Sequence, residues 1–486
     1  MNARARHVLA FLVPILVSLP TMSTADKLDR SKRPPVGPAP ALVAPPVIKR
    51  QLPNGLVVWI VRRPSLPLAS FVLQIRGGSS LDAKAGIASM TAALLDDGTR
   101  RLSAREFVNA VEALGATLGA SASEEQTVVS LNALTRHLDD ALVLMGEMVT
   151  TPAFREEEIE RERAARLQAL KQQKDQPVIV ATNVFQRVVY GMEHPYGRPV
   201  SGTIASVQSV THDDLVHFYD QVYRPNNAVL IAVGDVSEQD LMPRLERVFG
   251  GWKTQPVPAA ASAAPPRPAP RPLGVYLVDK PGAAQSEIRV GHAGAARSTT
   301  PDYDALQVLN LLLGGQFTSR VNLNLRERHG FTYGARTAWA FRRGDGPFYA
   351  SAGVFTAKTD SSVAEFLREL KDVRGSRPAT AEETARAKNA LIRSYPRRLE
   401  TNDGVASVLA DLAFYGLDES EITEYNRRIA QVTPEEVTRI ASKYIDPSSL
   451  AIVVVGDVAK IRGGIEALAL GPVKVLDADA NEVKTP

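Results

Sequence analysis

Apolar and polar residues along this chain follow two periods, and both patterns recur in two copies. "VVWIVRRPSLPLASFVLQIRGG" (57–78) holds two strand-length apolar runs around a Pro turn, and "GVYLVDKPGAAQSEIRVGHAG" (274–294) repeats that plan. "GIASMTAALLDDGT" (86–99) has the helical period instead. At about 100° per residue, Ile87, Met90, Thr91 and Leu94 cluster on one side as a core face. Ser89, Ala92 and Ala93 form the opposite side, which is small and nearly featureless, suited to close packing or to a cleft wall. "PAFREEEIERERAARLQALKQQKDQP" (152–177) reads as a long helix with acids in its first turns and bases in its last, as the helix dipole prefers. "FTYGARTAWAF" (331–341) alternates, which places Phe331, Tyr333, Ala335, Thr337, Trp339 and Phe341 on one side of a strand.

The repetition extends to the ends of both copies. "VTHDDLVHFYDQVYRPNNAVLIAVGDV" (210–236) and "VTPEEVTRIASKYIDPSSLAIVVVGDV" (432–458) match without a gap at Val210/Val432, Thr211/Thr433, Pro225/Pro447, Gly234/Gly456, Asp235/Asp457 and Val236/Val458. Each is a Thr-capped helix, a Pro turn and a buried strand ending in Gly-Asp. The chain is therefore an internal duplication. Strands at both ends of each unit with helices between them predict α+β domains, each a mostly antiparallel sheet with helices packed on one face. The expected organisation is a signal peptide (1–25), a flexible leader (26–47), a first domain (48–253), a Pro/Ala-rich linker (254–272), a second domain (273–474) and a short tail (475–486). The two domains are expected to face each other across a cleft.

The N-terminus indicates a compartment. Arg4 and Arg6 precede the apolar run "VLAFLVPILVSL" (8–19), and Ser23 and Ala25 stand at −3 and −1 of a cut before Asp26. This predicts export, to the periplasm, with no stable membrane span in the mature chain. The net charge of +4 is spread over 486 residues without a basic block, which argues against nucleic acid as a partner. The chain has no cysteine, which excludes disulfides, thiolate metal sites and cysteine nucleophiles.

Candidate chemistry is sparse. None of the seven histidines sits in a metal-binding spacing, and they read as solvent-facing. His212 and His217 fall about 140° apart on a helix, a poor pair for one metal. Asp96 and Asp97 close the small-faced helix as solvated or turn-capping acids. "LGGQFTSR" (313–320) lacks the glycine spacing of a phosphate loop.

Residues 86–99 resemble the signature of the M16 family (insulinase, pitrilysin, mitochondrial processing peptidase). Gly86, Ala88, Leu94, Leu95, Gly98 and Thr99 fit its pattern of Gly-x-Ala-His-x-x-Glu-His, two apolar residues and Gly-Thr. The resemblance places the family's two zinc-binding histidines on Ser89 and Ala93 and its general-base glutamate on Ala92. Its third ligand, a glutamate on a later helix, falls on Ala169 beside Gln168. All four chemical positions are vacant. In the second half, "NLRERHGFTYG" (324–334) resembles the C-terminal domain of bacterial M16 peptidases. There an arginine and a tyrosine seven residues apart hold substrate backbone and support the polarised carbonyl of the opposite site. Arg326 and Tyr333 match that pair. Their spacing alone fits equally an Arg326 paired with a neighbouring glutamate and a Tyr333 in the core.

The resemblance implies a non-catalytic subunit of a heterodimeric M16-type zinc metallopeptidase. This chain would hold no cofactor. A partner subunit with His-x-x-Glu-His would bring the zinc, and Arg326 and Tyr333 would act in trans on a peptide in the cleft. The edge-strand region for that peptide in the first half is expected within 115–134. The alternative is a peptide-binding or scaffold protein of the same fold with no peptidase role.

Overall fold

The computed structural model describes Gly37 and residues 42–483. The expected signal peptide and most of the leader therefore lie outside the described residues. The first sheet comprises β1 (Ile48–Gln51), β2 (Val57–Arg62), β3 (Leu68–Arg76), β4 (Thr117–Ala122), β5 (Gln126–Leu134) and β6 (Ala228–Gly234). The second comprises β7 (Gly274–Asp279), β8 (Gln285–Ala293), β9 (Thr332–Trp339), β10 (Pro347–Phe355), β11 (Ala451–Gly456) and β12 (Val473–Leu476). Their orders are β1-β2-β6-β3-β5-β4 and β12-β7-β11-β8-β10-β9, so the five repeated strands superpose in topology. The β2–β6 and β7–β11 pairs are parallel, while β3 and β8 pair antiparallel with both of their neighbours. β4 and β9 each close one edge, so the edge expected within 115–134 is β4.

The halves differ in how their sheets are covered. On one face of the first sheet, Val58, Ile60, Leu230 and Ala232 pack into that half's own core. On the other face, Trp59, Val61, Ile231 and Val233 pack against Val405, Leu409 and Ala413. Those residues belong to the helix Asn402–Tyr415 of the second half. The reciprocal contact covers the second sheet, where Val278, Val453 and Val455 meet Val180, Val184, Phe185 and Val188. These lie on the helix Pro177–Tyr190 of the first half. Each half thus keeps its own helices on one face, as the sequence predicts, and receives one helix from the other half on the opposite face. This explains why β6 and β11 are apolar at nearly every position, the pattern of a strand buried on both sides.

Each exchanged helix is delimited locally. Pro177 opens the first of them and Gly191 follows its last residue. Thr401 caps the second, accepting from the Gly404 N–H at 3.0 Å, and Gly416 ends it in the left-handed region at φ 65°. A second tie joins the turn after β4 to the loop between β9 and β10. Glu124 pairs with Arg342, and Glu125 accepts from the Arg343 backbone N–H at 2.9 Å. The Tyr196 hydroxyl donates to Glu125 and accepts from the Gly344 N–H, while the Arg342 guanidinium lies 4.4 Å from the Tyr196 ring centroid. The linker is fastened too. Arg343 donates to the carbonyl of Ala261, and His194 meets that of Pro266 at 2.9 Å.

If the exchanged helices hold the halves together, truncating their buried side chains should cost as much as truncating the centre of either core. Phe185→Ala is expected to destabilise by about 3–5 kcal/mol and Leu409→Ala by about 2–5 kcal/mol, read from urea denaturation. Losses under about 1 kcal/mol would be those of surface-lying helices.

Candidate functional site

The small-faced helix runs from Ile87 to Ala93, and its start is built by two residues. Gly86 takes φ 104°, and a Cβ there would lie 3.2 Å from the Gly202 backbone. The buried Asp82 carboxylate accepts from the N–H groups of Gly86 at 2.8 Å and Ala88 at 2.9 Å, which satisfies the helix N-terminus. Ile87, Met90, Thr91 and Leu94 are buried, as the periodicity predicts. The helix packs beside β4 and the helix His212–Val222. On the opposite side Ser89 and Ala93 are half-buried and Ala92 is fully buried. Ala92 therefore fills a packed position rather than a cleft wall.

The long helix Glu156–Gln173 runs past Ser89. Ala169 is exposed, and the side chain that meets Ser89 is Arg166, nearly one turn earlier. Arg166 Nη1 donates to Ser89 Oγ at 2.6 Å. Glu162, one turn earlier again, accepts from Arg166 Nε at 2.8 Å and Nη2 at 2.6 Å. Glu162, Arg166 and Ala169 are spaced i, i+4 and i+7 and so share one helix face, on which Ala169 carries no group that could reach across.

The donor set does not fit zinc. A zinc site needs about three nitrogen, oxygen or sulfur ligands, and Ala93 and Ala169 provide none. The single oxygen, Ser89 Oγ, is taken by a guanidinium whose charge opposes a cation in the same space. Among the described residues no group of three His, Asp or Glu side chains could hold a metal. Nearby, Asp96 is pushed up to about 6 by desolvation and then by the charge of Asp97, and Asp97 pairs with Arg161. Of the histidines, His292 is buried rather than solvent-facing. It faces the Ala293 carbonyl and the Asp446 N–H, and burial holds its pKa down.

In the second half, Arg326 lies on the helical turn Leu323–Arg328 and is partly exposed. Its guanidinium sits 4.6 Å from the Phe317 ring centroid and 3.2 Å from Glu327. Tyr333 is 77% exposed, with its ring 6.2 Å from that of Phe355. Strict alternation would have buried it beside Ala335, Thr337 and Trp339. The alternation breaks because β9 bulges: Thr332 pairs with Val354 and Ala335 with Ala352, so Tyr333 and Gly334 oppose Gly353 alone. The Thr332 hydroxyl holds the bulge, donating to the carbonyl of Gly353 at 2.7 Å and accepting from the Gly334 N–H at 3.1 Å. Asn322 joins this strand to the preceding loop. It accepts from the Ala335 N–H at 3.1 Å and donates to the Phe317 carbonyl at 2.7 Å. A guanidinium and a phenol are thus presented to solvent on a braced frame. The partners of Arg326 and Tyr333 lie in their own half; the structure does not bring them against Ser89.

Comparison with known proteins bears on the family and the fold. The family model described as "Insulinase (Peptidase family M16)" matches residues 57–203, and that described as "Peptidase M16 inactive domain" matches residues 209–391. The chain is 28% identical over 400 residues to a Streptomyces coelicolor protein described as an uncharacterized zinc protease, covering 81% of this chain and 86% of that one. A Mycobacterium tuberculosis protein of the same description is 29% identical over 419 residues, covering 84% and 92%. Among solved structures, a peptidase M16 inactive domain from Pseudomonas fluorescens aligns with a TM-score of 0.79 at 25% identity, over 84% of this chain and 98% of that one. A protease from Helicobacter pylori shares the fold with a TM-score of 0.75 at 23% identity, over 85% and 99%.

The Asp82 cap predicts a pH dependence. Its carboxyl is pushed up to about 7 from 3.8, chiefly by desolvation, against the pull of the Ala88 and Gly86 N–H groups. A folded-state value above the unfolded one means that the folded protein binds the proton more tightly. Stability should therefore fall as pH rises from 3.8 toward about 7, with the penalty complete above that. Asp82→Asn removes the titration. The stability of the wild type relative to that variant should drop by a few kcal/mol between acid and mildly alkaline pH, read from urea denaturation across that range. Parallel profiles for the two proteins would show that Asp82 titrates normally.

Proposed function

The chain belongs to the M16 peptidase family, and we propose that it is a non-catalytic subunit that completes the active site of an M16-type zinc peptidase partner. The observation that carries this reading is an asymmetry between the halves. In the first half, every position of the family's catalytic signature holds a side chain unable to do its work, with Arg166 lodged against Ser89. In the second, Arg326 and Tyr333 keep the family's spacing and face solvent.

The chemistry assigned to this chain is electrostatic. A guanidinium and a phenolic O–H can both donate to the carbonyl oxygen of a bound peptide, orienting it and stabilising negative charge as it develops. A partner subunit carrying His-x-x-Glu-His would supply the metal and the general base, that is, Lewis-acid activation of the carbonyl and of water. The edge β4 offers unpaired backbone groups to which an extended peptide can add as a strand. The N-terminal signal pattern supports export to the periplasm, and no helix among the described residues is long and apolar enough to cross a membrane.

Affinity purification from the exported fraction of the native host should recover a companion of similar size bearing His-x-x-Glu-His. In the purified complex, Arg326→Ala should lower kcat by about 10²-fold, the scale of losing one oxyanion donor. Gel filtration should show the complex intact. Unchanged turnover would sink the proposal. A lone homodimer with no such companion would favour a peptide-binding scaffold.

A further inference from the structure

Away from Arg326 and Tyr333, a cavity of about 990 Å³ opens beneath the start of the linker, between the end of the helix His212–Val222 and the segment 251–258. We propose that this cavity binds a small multivalent anion, a ligand presenting two or more carboxylate or phosphate groups. Arg100, Arg224, Arg247 and Lys253 line it, and Asp220 is its one carboxylate. The lining therefore carries a surplus of positive charge in a chain whose charges are otherwise interspersed.

Arg224 is the most informative of these residues. Its side chain is only 11% exposed, yet its carboxylate neighbour Asp220 is 3.9 Å away. Gln255 Oε1 accepts from it at a long 3.4 Å, and its Nε is buried without a partner. Arg320, a similarly buried arginine, shows what a satisfied guanidinium looks like in this protein. It donates to both oxygens of Glu383 at 2.8 and 2.7 Å and to the Pro378 carbonyl at 2.8 Å. Leaving a buried donor short of acceptors costs free energy, and a bidentate oxyanion is the group that fits a guanidinium fork.

The neutral lining does not compete for such a ligand. The Tyr219 hydroxyl is committed to the Val149 carbonyl at 2.7 Å, and the Trp252 indole N–H to the Tyr223 carbonyl at 3.1 Å. Thr150 and Thr151 donate to carbonyls of their own helix. Arg247 is paired with Asp139 at 3.1 Å, so the rings leave apolar faces and Arg100, Arg224 and Lys253 leave charge for a ligand; recognition is by charge on a metabolite-sized body. The inference is independent of the peptidase reading.

Isothermal titration of the full chain in about 20 mM salt tests it, with tripolyphosphate, citrate and a hexa-aspartate peptide as probes. At least one should bind, and the preferred probe distinguishes a phosphate source from a carboxylate one. Arg100→Gln/Lys253→Gln, two exposed positions that spare the fold, should raise its Kd at least tenfold. The charge-matched control Lys371→Gln/Lys460→Gln should leave it unchanged. Failure of all three probes to bind, or equal weakening in both double variants, would overturn the site.

Discussion

Trp59, Val61, Ile231 and Val233 on one sheet, and Val278, Val453 and Val455 on the other, face away from the helices of their own half. An apolar sheet face cannot be left to water, and in this protein the cover for each comes from the opposite half. The exchange of the helices Pro177–Tyr190 and Asn402–Tyr415 is thus the constraint on which the remaining structure depends. It makes the halves mutually dependent for burial, although the duplication gives each a complete sheet. It also places the sheet edges by packing rather than by the linker, so the Pro/Ala-rich segment connects halves that are already fixed to each other. The pairs Glu124–Arg342 and Glu125–Arg343 add a polar tie at the hairpins, where charge-assisted hydrogen bonds specify register.

At the positions where the resemblance places catalytic residues, alanine costs the fold little. Alanine is the best helix former, so Ala92 and Ala93 preserve the helix Ile87–Ala93, and Ala92 is buried without leaving a polar group to satisfy. The harder problem is electrostatic. Glu158, Glu162, Asp96 and Asp97 crowd one end of this site, and their repulsion has to be offset. Here two arginines of the long helix do so, Arg161 at Asp97 and Glu158 and Arg166 at Glu162. An ion pair within one helix, tied across to Ser89, stands where the resemblance places a metal.

Much of this was legible in the sequence. The ungapped match of 210–236 with 432–458 exposed the duplication, and apolar runs located the central strands because they are buried on both faces. What stayed hidden was long-range. The 3–4 spacing of Val180, Val184, Phe185 and Val188 announces an apolar helix face, but no local pattern says that it covers the other half's sheet. The pairing of Glu124 and Glu125 with Arg342 and Arg343 joins positions more than two hundred residues apart. At the candidate site the sequence did not show that Arg166, nearly one turn before Ala169, reaches Ser89 while paired with Glu162.

Tyr333 shows how much a single residue of register decides. Two residues of β9 oppose one of β10 at this point, and the extra residue turns the tyrosine out of the core. In a regular strand its ring would pack beside Ala335 and Thr337 instead of facing solvent. The bulge is held by residues with no chemistry of their own: Thr332, which bonds to Gly334 and Gly353, and Asn322, which fixes both the strand and the loop that carries Phe317. In this half the fold therefore spends backbone irregularity on presenting one side chain. The first half does the opposite, holding a regular helix with small side chains at the positions where the resemblance places the ligands. A duplicated chain can diverge in this way because the exchanged helices, and not the sites, hold it together.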